Sequence, residues 1–263
     1  MIDFHNHVIP NIDDGPKKIE VSLDMMKKAH EDGITCVVNT VHLQHPKMHD
    51  KNTDYEFIIN ETNKFQKVLK KNNIPVQIKS QAEVYFKDNI KELIENPLAN
   101  ISGKYMLIEF ENFFMPENFK DILFILNCNG IYPIIAHPER YRCIQNNISL
   151  IDDWFKRDYI IQLTCGSILG EHGKKNYKTA HQILKKGKCH LIGSDAHNNK
   201  KRNFLMREAL ELIGEKYGKK NKDIIAQNSF NVFEGKMVNK MVEIKTKNFS
   251  IKKKFNMWLK KKF

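Results

Sequence analysis

Short runs of β-branched and aliphatic residues alternate along this chain with longer segments that carry apolar residues at helical spacing. The runs that predict strands cover residues 2–5, 36–40, 76–82, 105–108, 131–136, 159–163 and 189–192. The segments that predict helices cover residues 21–32, 54–72, 89–95, 118–129, 150–157, 177–186 and 202–216. Strands that alternate with helices form parallel sheets, and strands that are apolar throughout are buried on both faces. The pattern therefore predicts an α/β fold built on a parallel sheet.

A closed barrel and an open doubly wound sheet both have this order of elements. The nucleotide-binding fingerprints of the open sheet, G-x-G-x-x-G after the first strand and G-x-x-x-x-G-K-[ST], are absent from the sequence. The length of 263 residues suits a single α/β barrel. We therefore predict a (β/α) barrel of seven strands and keep the open sheet as the second choice.

Side chains that bind metals follow six of the seven predicted strands. They are His5, His7, Asp14, His42, Glu83, Glu109, His137, Asp195 and His197. A single histidine or carboxylate at a strand end is more often a surface group, but the carboxyl ends of barrel strands converge on one face, so the whole set predicts one site. Imidazoles and carboxylates without a thiolate suit manganese, iron, zinc or magnesium. Nine ligands exceed the needs of one ion, so we expect two or three divalent ions and hydrolytic chemistry.

The cysteines argue against a disulfide framework and against a cysteine nucleophile. They are Cys36, Cys128, Cys143, Cys165 and Cys189. Their odd number and wide spacing, without a C-x-x-C pair, also argue against a structural zinc site. None has the arginine six residues later that a cysteine-dependent phosphatase needs, and no D-x-D phosphoaspartate motif occurs. We expect these thiols to be reduced and mostly buried.

Eight short segments, taken in order, resemble one known family. They are residues 3–7 (Asp-Phe-His-Asn-His), 12–15 (Ile-Asp-Asp-Gly), 40–42 (Thr-Val-His), 82–83 (Ala-Glu), 107–110 (Leu-Ile-Glu-Phe), 135–141 (Ile-Ala-His-Pro-Glu-Arg-Tyr), 162–164 (Gln-Leu-Thr) and 194–198 (Ser-Asp-Ala-His-Asn). In order and spacing they resemble the polymerase-and-histidinol-phosphatase (PHP) superfamily, and most closely its bacterial manganese-dependent protein-tyrosine phosphatases of capsule and exopolysaccharide gene clusters. The resemblance covers about residues 1–235. It implies a distorted seven-stranded barrel of the PHP type that holds three metal ions.

The resemblance also implies a role for each candidate residue. His5, His7, Glu83 and Asp195 would hold one ion, Glu83, Glu109 and His137 a second, and Asp14, His42 and His197 a third. Arg140 and Arg202 match family arginines near the substrate phosphate, which suits the planar guanidinium group. The plainer alternatives are an ion pair of Arg140 with Glu139 and an exposed Arg202.

The implied activity is hydrolysis of phosphotyrosine on a membrane-associated bacterial tyrosine kinase that regulates capsule or exopolysaccharide synthesis. We hypothesise that a metal-activated hydroxide attacks phosphorus, that the two arginines stabilise the phosphoryl charge, and that His42, Asp14 or metal-bound water supplies a proton. Two alternatives remain: a small-molecule phosphoesterase of the same superfamily, such as a histidinol-phosphate phosphatase, and a non-enzymatic basic protein. Val41 stands where many relatives have proline or serine, and Asn203 where proline often follows the arginine. These differences weaken the match at the second-strand loop and at Arg202 but do not involve the metal ligands.

The net charge of +12 is mainly a property of the carboxyl-terminal tail. Residues 236–263 contain ten lysines and one acid, a net +9, which leaves +3 for residues 1–235. We therefore predict a phosphatase domain over residues 1–235, a basic tail over residues 236–263, and no nucleic-acid partner.

The tail carries apolar residues at helical spacing, namely Ile251, Phe255, Trp258, Leu259 and Phe263. An amphipathic basic helix of this kind either contacts an anionic membrane surface or an acidic partner, or packs on the barrel. The sequence has no signal peptide and no apolar run long enough to span a bilayer. We expect a cytoplasmic protein, peripheral at the inner face of the membrane if the tail binds there.

Overall fold

In the computed structural model, which describes residues 1–48 and 54–244, seven parallel strands form one sheet in sequence order. The strands are β1 (Ile2–Asn6), β2 (Cys36–Leu43), β3 (Gln77–Tyr85), β4 (Tyr105–Glu109), β5 (Tyr132–Ala136), β6 (Ile160–Thr164) and β7 (Leu191–Gly193). The end of β7 returns to β1, where the Asp195 amide donates to the His5 carbonyl (2.7 Å) and the His7 amide donates to the Ala196 carbonyl (2.8 Å). The sheet is therefore a nearly closed barrel, and the prediction of a seven-stranded α/β barrel is confirmed.

Helices connect the strands and surround the barrel. They are α1 (Ile19–Glu31), α2 (Tyr55–Lys71), α3 (Phe119–Cys128), α4 (Arg142–Asn146), α5 (Leu150–Lys156), α6 (Cys165–Leu169), α7 (Lys174–Lys185), α8 (Met206–Tyr217) and α9 (Lys219–Phe233). The helix predicted at residues 89–95 is wrong in type, because the chain forms a four-residue 3-10 helix at Ile90–Leu93. The Asn96 side chain then accepts from the amides of Leu98 and Ala99 (2.9 and 3.2 Å), which turns the chain back toward β4.

The helix predicted to begin at Arg202 begins four residues later, at Met206. Its amino-terminal amides are capped by a residue distant in sequence: the Asp32 carboxylate accepts from the amides of Met206 and Arg207 (2.7 and 3.2 Å). A carboxylate from another element satisfies unpaired helix amides as well as a local cap does, but it leaves no local sequence signal. As a consequence Arg202 lies in a loop rather than on a helix.

Helix α9 has no counterpart among the helices predicted from the sequence. Its core-facing side includes the buried residues Asn221, Asn228 and Asn231, so the apolar spacing of an ordinary amphipathic helix is interrupted. These asparagines bind the segment that follows: Asn228 donates to the Asn239 carbonyl (2.8 Å) and accepts from its amide (2.7 Å). On this side, α9 therefore packs through hydrogen bonds to the backbone of residues 236–244 rather than through apolar contacts alone.

Residues 236–244 have no regular secondary structure and lie against α9. The Val242 amide donates to Asn221 Oδ1 (2.8 Å), and Asn231 donates to the Met237 carbonyl (3.2 Å). The predicted amphipathic helix, with residues 251, 255, 258, 259 and 263, lies outside the described residues. Within the described residues, no helix is both long and apolar enough to cross a bilayer.

The core has two parts. A large cluster fills the space between the strands and the surrounding helices, and a smaller one joins Phe4, Val38 and Leu107 to Val232 of α9. Of the five cysteines, Cys36, Cys165 and Cys189 are buried and all five are free thiols, as predicted. Burial raises the pKa of the Cys165 and Cys189 thiols, so neither is an activated nucleophile.

Candidate metal centre

Strands β2 and β3 are longer than predicted, and their extra length carries two of the ligands. The predicted strands end at residues 40 and 82, whereas β2 continues to Leu43 and β3 to Tyr85. His42 and Glu83 are therefore within strands, directly opposite each other in the parallel register. The predicted ends were wrong because polar residues near a buried site continue a strand that an apolar pattern alone would terminate.

Local backbone irregularities lie at the other ligands. β1 contains a register shift between Asp3 and Asn6, which breaks strict alternation where His5 lies. His137 and Asp195 have left-handed backbones, with φ of 33° and 52°. Non-glycine residues with positive φ are strained and cluster at functional sites. The chain leaves its strands by tight turns that direct these side chains to the carboxyl edge of the barrel.

Glu83 lies at the centre of the cluster and is buried. Its two carboxylate oxygens face four imidazole nitrogens: His5 Nε2 (3.1 Å), His137 Nε2 (3.2 Å), His7 Nε2 (3.4 Å) and His42 Nδ1 (3.5 Å). Glu109 approaches from the next strand, with Oε1 3.5 Å from His137 Nε2. One carboxylate surrounded in this way is suited to bridge two ions.

Asp14 and Asp195 complete the arrangement. Asp14 Oδ1 lies 3.4 Å from His42 Nε2 and 3.3 Å from His197 Nε2, and its side chain is 39% exposed. Asp195 is buried, with Oδ1 3.6 Å from His5 Nε2. All nine residues predicted from the sequence are thus brought together on one edge of the barrel.

The side chains form overlapping groups in which one ligand atom from each member lies within 4.8 Å of the others. The groups among the described residues are His5, His7 and Glu83; Glu83, Glu109 and His137; His7, Asp14, His42 and His197; and His42, His45 and Glu109. The first three correspond to the predicted sets, with two differences. Asp195 is absent from the first, although its Oδ1 lies 3.6 Å from His5 Nε2 and 3.9 Å from His7 Nε2, and His7 also belongs to the third.

Neighbouring side chains and carbonyls hold three of the histidines by their Nδ1 atoms. These hydrogen bonds run from His5 to Gln162 Oε1 (2.7 Å), from His7 to Asp13 Oδ2 (2.7 Å) and from His197 to the Asp195 carbonyl (3.0 Å). A histidine that donates from Nδ1 presents a lone pair at Nε2, where it can bind a metal ion. Nε2 of His5 and of His7 is buried and makes no hydrogen bond to any described residue. The residues present therefore fit a metal centre.

Glu83 and Glu109, the two neighbouring glutamates of the cluster, have pKa values shifted in opposite directions. Burial and the charge of Glu83 raise the pKa of Glu109 to about 8. Burial also acts to raise the pKa of Glu83, but the charge of His5 and the contacts with His137 and His7 hold it well below its usual range. Since like charges this close disfavour double ionisation, a divalent cation among them would stabilise both as carboxylates.

The two predicted arginines meet on one atom. Arg140 Nη2 lies 2.6 Å from Asp195 Oδ2, and Arg202 Nη2 lies 2.8 Å from the same oxygen. Arg140 does not pair with Glu139, because that carboxylate instead accepts from the amide and hydroxyl of Thr164 (3.1 and 2.7 Å). Two guanidinium groups beside a buried carboxylate provide positive charge at the edge of the cluster.

Sequence reasoning missed several residues that support the site. Asp13 and Gln162 fall within the segments quoted above, but no role was assigned to them. His172 accepts from Arg140 Nη2 (3.1 Å) and follows no strand, so its position gave no signal. His45 lies three residues after His42, with its ring against Tyr85 (centroids 5.1 Å apart). That spacing after a ligand histidine was the available signal.

Comparison with known proteins gives a consistent result. Residues 1–234 match the family model described as capsular polysaccharide synthesis, CpsB/CapC. The tyrosine-protein phosphatase YwqE of Bacillus subtilis (strain 168) is 30% identical over 231 residues, which is 87% of this chain and 90% of that protein. The tyrosine-protein phosphatase CpsB of Streptococcus pneumoniae is 28% identical over 250 residues, 90% of this chain and 100% of that protein.

The fold has a close counterpart among solved structures. A crystal structure from work on YwqE of Bacillus subtilis and CpsB of Streptococcus pneumoniae, described as unique metal-dependent tyrosine phosphatases, superposes with a TM-score of 0.86. The sequences are 27% identical, and the match covers 92% of this chain and 97% of the other.

Proposed function

Since this chain belongs to the CpsB/CapC capsular polysaccharide synthesis family, as its sequence predicted, we propose that it is a metal-dependent protein-tyrosine phosphatase. The observation that carries the proposal is the meeting of both arginines on Asp195 Oδ2, at the edge of a cluster of buried imidazoles and carboxylates. Divalent cations in the cluster together with guanidinium groups at its edge are suited to a phosphate monoester.

We propose three ligand sets for the metal. His5, His7, Glu83 and Asp195 hold the first ion, Glu83, Glu109 and His137 the second, and Asp14, His42 and His197 the third. Manganese is the ion we propose, and iron, zinc or magnesium would suit the same donors. When bound, such ions neutralise phosphate oxygens and lower the pKa of water to make it a nucleophile.

The residues of the chain bind the substrate and manage its charge. Arg140 and Arg202 turn from Asp195 to the phosphate oxygens and stabilise negative charge in the transition state. A phenolate leaving group needs little proton donation, because the pKa of its conjugate acid is ~10. Of the two side chains expected to supply that proton, Asp14 is held ionised by His197 and His42, which keep its pKa far below the usual range, so we assign the proton to His42.

The decisive experiment compares two substrates with manganese added, a phosphotyrosine peptide and histidinol phosphate. We expect a higher kcat/KM for the peptide. The reverse preference would instead favour a small-molecule phosphoesterase of the same superfamily.

A pair of variants tests the site itself. Asp195→Asn should reduce turnover by at least about 100-fold. Replacing a residue that only hydrogen-bonds to a metal ligand already lowers metal affinity or activity by about 10- to 100-fold. The matched control is Asp152→Asn, on the surface and paired with Lys186 (2.8 Å), which should keep full activity. An active Asp195→Asn enzyme would rule out the proposed centre.

We further propose that the substrate is a membrane-associated bacterial tyrosine kinase and that the basic tail brings the enzyme to the inner face of the membrane. Residues 245–263 contain eight lysines and no acid, and polybasic segments bind anionic lipid surfaces. The chain should be truncated after residue 244, because residues 236–244 bind α9. Full-length protein should sediment with anionic vesicles and the truncated chain should not; equal sedimentation would contradict the membrane role.

A further inference from the structure

His45 stands beside the metal cluster, and its location alone resembles that of a ligand. Its ring packs on His42 with centroids 4.7 Å apart and meets Tyr85 edge-on. Its Nε2 lies 3.8 Å from Glu109 Oε2, beyond hydrogen-bonding distance. One ligand atom from each of His42, His45 and Glu109 lies within 4.8 Å of the others, so distance alone would make His45 a third ligand of this set.

The hydrogen bond at the other ring nitrogen argues against that assignment. The Lys47 amide donates to His45 Nδ1 (3.2 Å), so Nδ1 presents its lone pair and neutral His45 carries its proton on Nε2. His5, His7 and His197 have the opposite arrangement, since each donates from Nδ1. Those three present a lone pair at Nε2, whereas His45 presents an N–H group.

The direction of this N–H group is fixed by its surroundings. Tyr85, which supports the ring edge-on, is itself held by a hydrogen bond from its hydroxyl to Glu111 Oε2 (3.1 Å). The His45 side chain is 14% exposed, so it borders both the cluster and the solvent. No described residue accepts a hydrogen bond from His45 Nε2, since even the neighbouring Glu109 Oε2 is 3.8 Å away.

We propose that His45 is a substrate-binding residue whose Nε2–H donates a hydrogen bond to an oxygen of the phosphoryl group, and that it is not a metal ligand. The inference rests on the phosphatase function proposed above and adds a neutral donor to the two arginines. Arg140 and Arg202 approach from the Asp195 side, while His45 approaches from the side of Glu109. A tetrahedral phosphate between them receives donors from two directions, which fixes its orientation.

The test uses the full-length, manganese-loaded protein with three readouts: manganese bound per chain, affinity for inorganic phosphate by calorimetry, and kcat/KM for a phosphotyrosine peptide. His45→Ala should keep the manganese content of the wild type. A hydrogen bond to a charged group contributes enough that its loss should weaken phosphate binding roughly ten-fold or more. His45→Gln, whose amide nitrogen reaches about as far as Nε2, should restore most of the affinity.

His30→Ala is the matched control, because His30 is exposed on α1, and it should leave all three readouts unchanged. Loss of manganese from His45→Ala would identify a ligand and overturn the proposal, as would phosphate affinity equal to that of the wild type. If the wild type binds manganese and phosphate but cleaves no phosphotyrosine, the proposed substrate fails, while the phosphate affinity of the two His45 variants still decides the role of this residue.

Discussion

At the scale of the residue, the hydrogen bond at one nitrogen of a histidine decides what the other nitrogen can do. Gln162 on β6 shows this most clearly, because its Oε1 accepts from His5 Nδ1 while its own Nε2 finds no hydrogen-bond partner among the described residues. Its buried amide therefore serves His5 alone. β6, the strand that supplies none of the nine candidate ligands, contributes by orienting one of them.

Replacing Gln162 should weaken metal binding without unfolding the chain. Gln162→Leu keeps the side-chain volume but removes the acceptor, so His5 is free to rotate or to change tautomer. We expect a loss of about 10- to 100-fold in manganese affinity, measured by calorimetry. Gln162→Glu keeps an acceptor and should bind better than Gln162→Leu. Equal affinities for Gln162→Leu and the wild type would show that this hydrogen bond does not position the ligand.

A second prediction concerns how Arg140 is positioned. Burial and the Arg140 charge lower the pKa of His172 to about 4, so its Nδ1 is a neutral acceptor for Arg140 (3.1 Å). Gly166 allows this packing, because a Cβ there would lie 2.5 Å from His172 Nε2. His172→Ala and Gly166→Ala should each raise KM for a phosphotyrosine peptide by roughly 5- to 10-fold, the value of one hydrogen bond.

The manganese content should stay constant in both variants, and His172→Asn, which keeps an acceptor near Nδ1, should recover part of the loss. A fall in kcat alone, with KM unchanged, would contradict a role in positioning the arginine.

Single residues also show where sequence reasoning succeeds and where it stops. The nine candidate ligands could be selected from the sequence because barrel topology makes the end of each strand equivalent, and the structure brings them together at one edge. Gln162 and His172 could not be found this way, since their roles depend on which atom a distant side chain turns toward them. His45 required the Lys47 amide as well, and a backbone donor leaves no mark in residue type.

At the scale of the element, the largest difference between prediction and structure is α9. A helix that buries asparagines against an irregular segment does not have the apolar spacing on which helix prediction depends. The late start of α8 has the same origin, because Asp32 caps it from the end of α1. The strands could be located because each contains a short apolar run, although β2 and β3 extend beyond theirs, whereas elements that depend on polar partners from elsewhere could not.

His190, which immediately precedes β7, should make the free energy of unfolding depend on pH. Burial and the charge of Lys240 lower its pKa to about 3, and its Nδ1 accepts from the Ile161 amide (3.0 Å). The unfolded chain takes up this proton at about pH 6.5 and the folded chain only near pH 3, so the unfolded state binds more protons between these values. The stability that neutral, buried His190 contributes is present in full above pH 6.5 and is lost as the pH falls toward 3.

The free energy of unfolding should therefore decrease on acidification, and His190→Asn should remove part of that decrease. Asparagine keeps an acceptor for Ile161 but does not titrate. We expect the loss of stability between pH 7 and pH 4.5 to be roughly 2 kcal/mol smaller in the variant, measured by urea denaturation. Parallel pH profiles for the two proteins would contradict this assignment.

At the scale of the whole molecule, the chain combines a barrel of nearly neutral composition with a strongly basic end. The predicted boundary after residue 235 stays a prediction, but the hydrogen bonds of residues 236–244 to α9 show that the first part of the basic segment packs on the barrel. The excess of lysines could be located from the sequence alone. The packing of residues 236–244 against the barrel could not be predicted, because it depends on hydrogen bonds to α9.

The barrel joint between β7 and β1 has a consequence for the whole molecule. Few backbone hydrogen bonds cross it, and the Ser194 hydroxyl and amide bind the Asp3 carboxylate (2.6 and 3.0 Å) across 191 positions of sequence. His5 and His7 lie on one side of this joint, and Asp195 and His197 on the other. An ion bound by residues on both sides would link the first and last strands of the barrel. Ions that bind only the folded state stabilise it.

Chelation should therefore loosen the molecule from this joint outward. Removing the metal with EDTA should lower Tm by several degrees, at about 2–4 °C for each kcal/mol in a chain of this size. Amide hydrogen exchange should accelerate first in β1 and β7, while β2 and β3, paired along their whole register, keep their protection. Uniform acceleration around the barrel would mean that the ions do not hold its ends together. In the expected case, chelation would open the sheet between its first and last strands and leave the rest of the barrel folded.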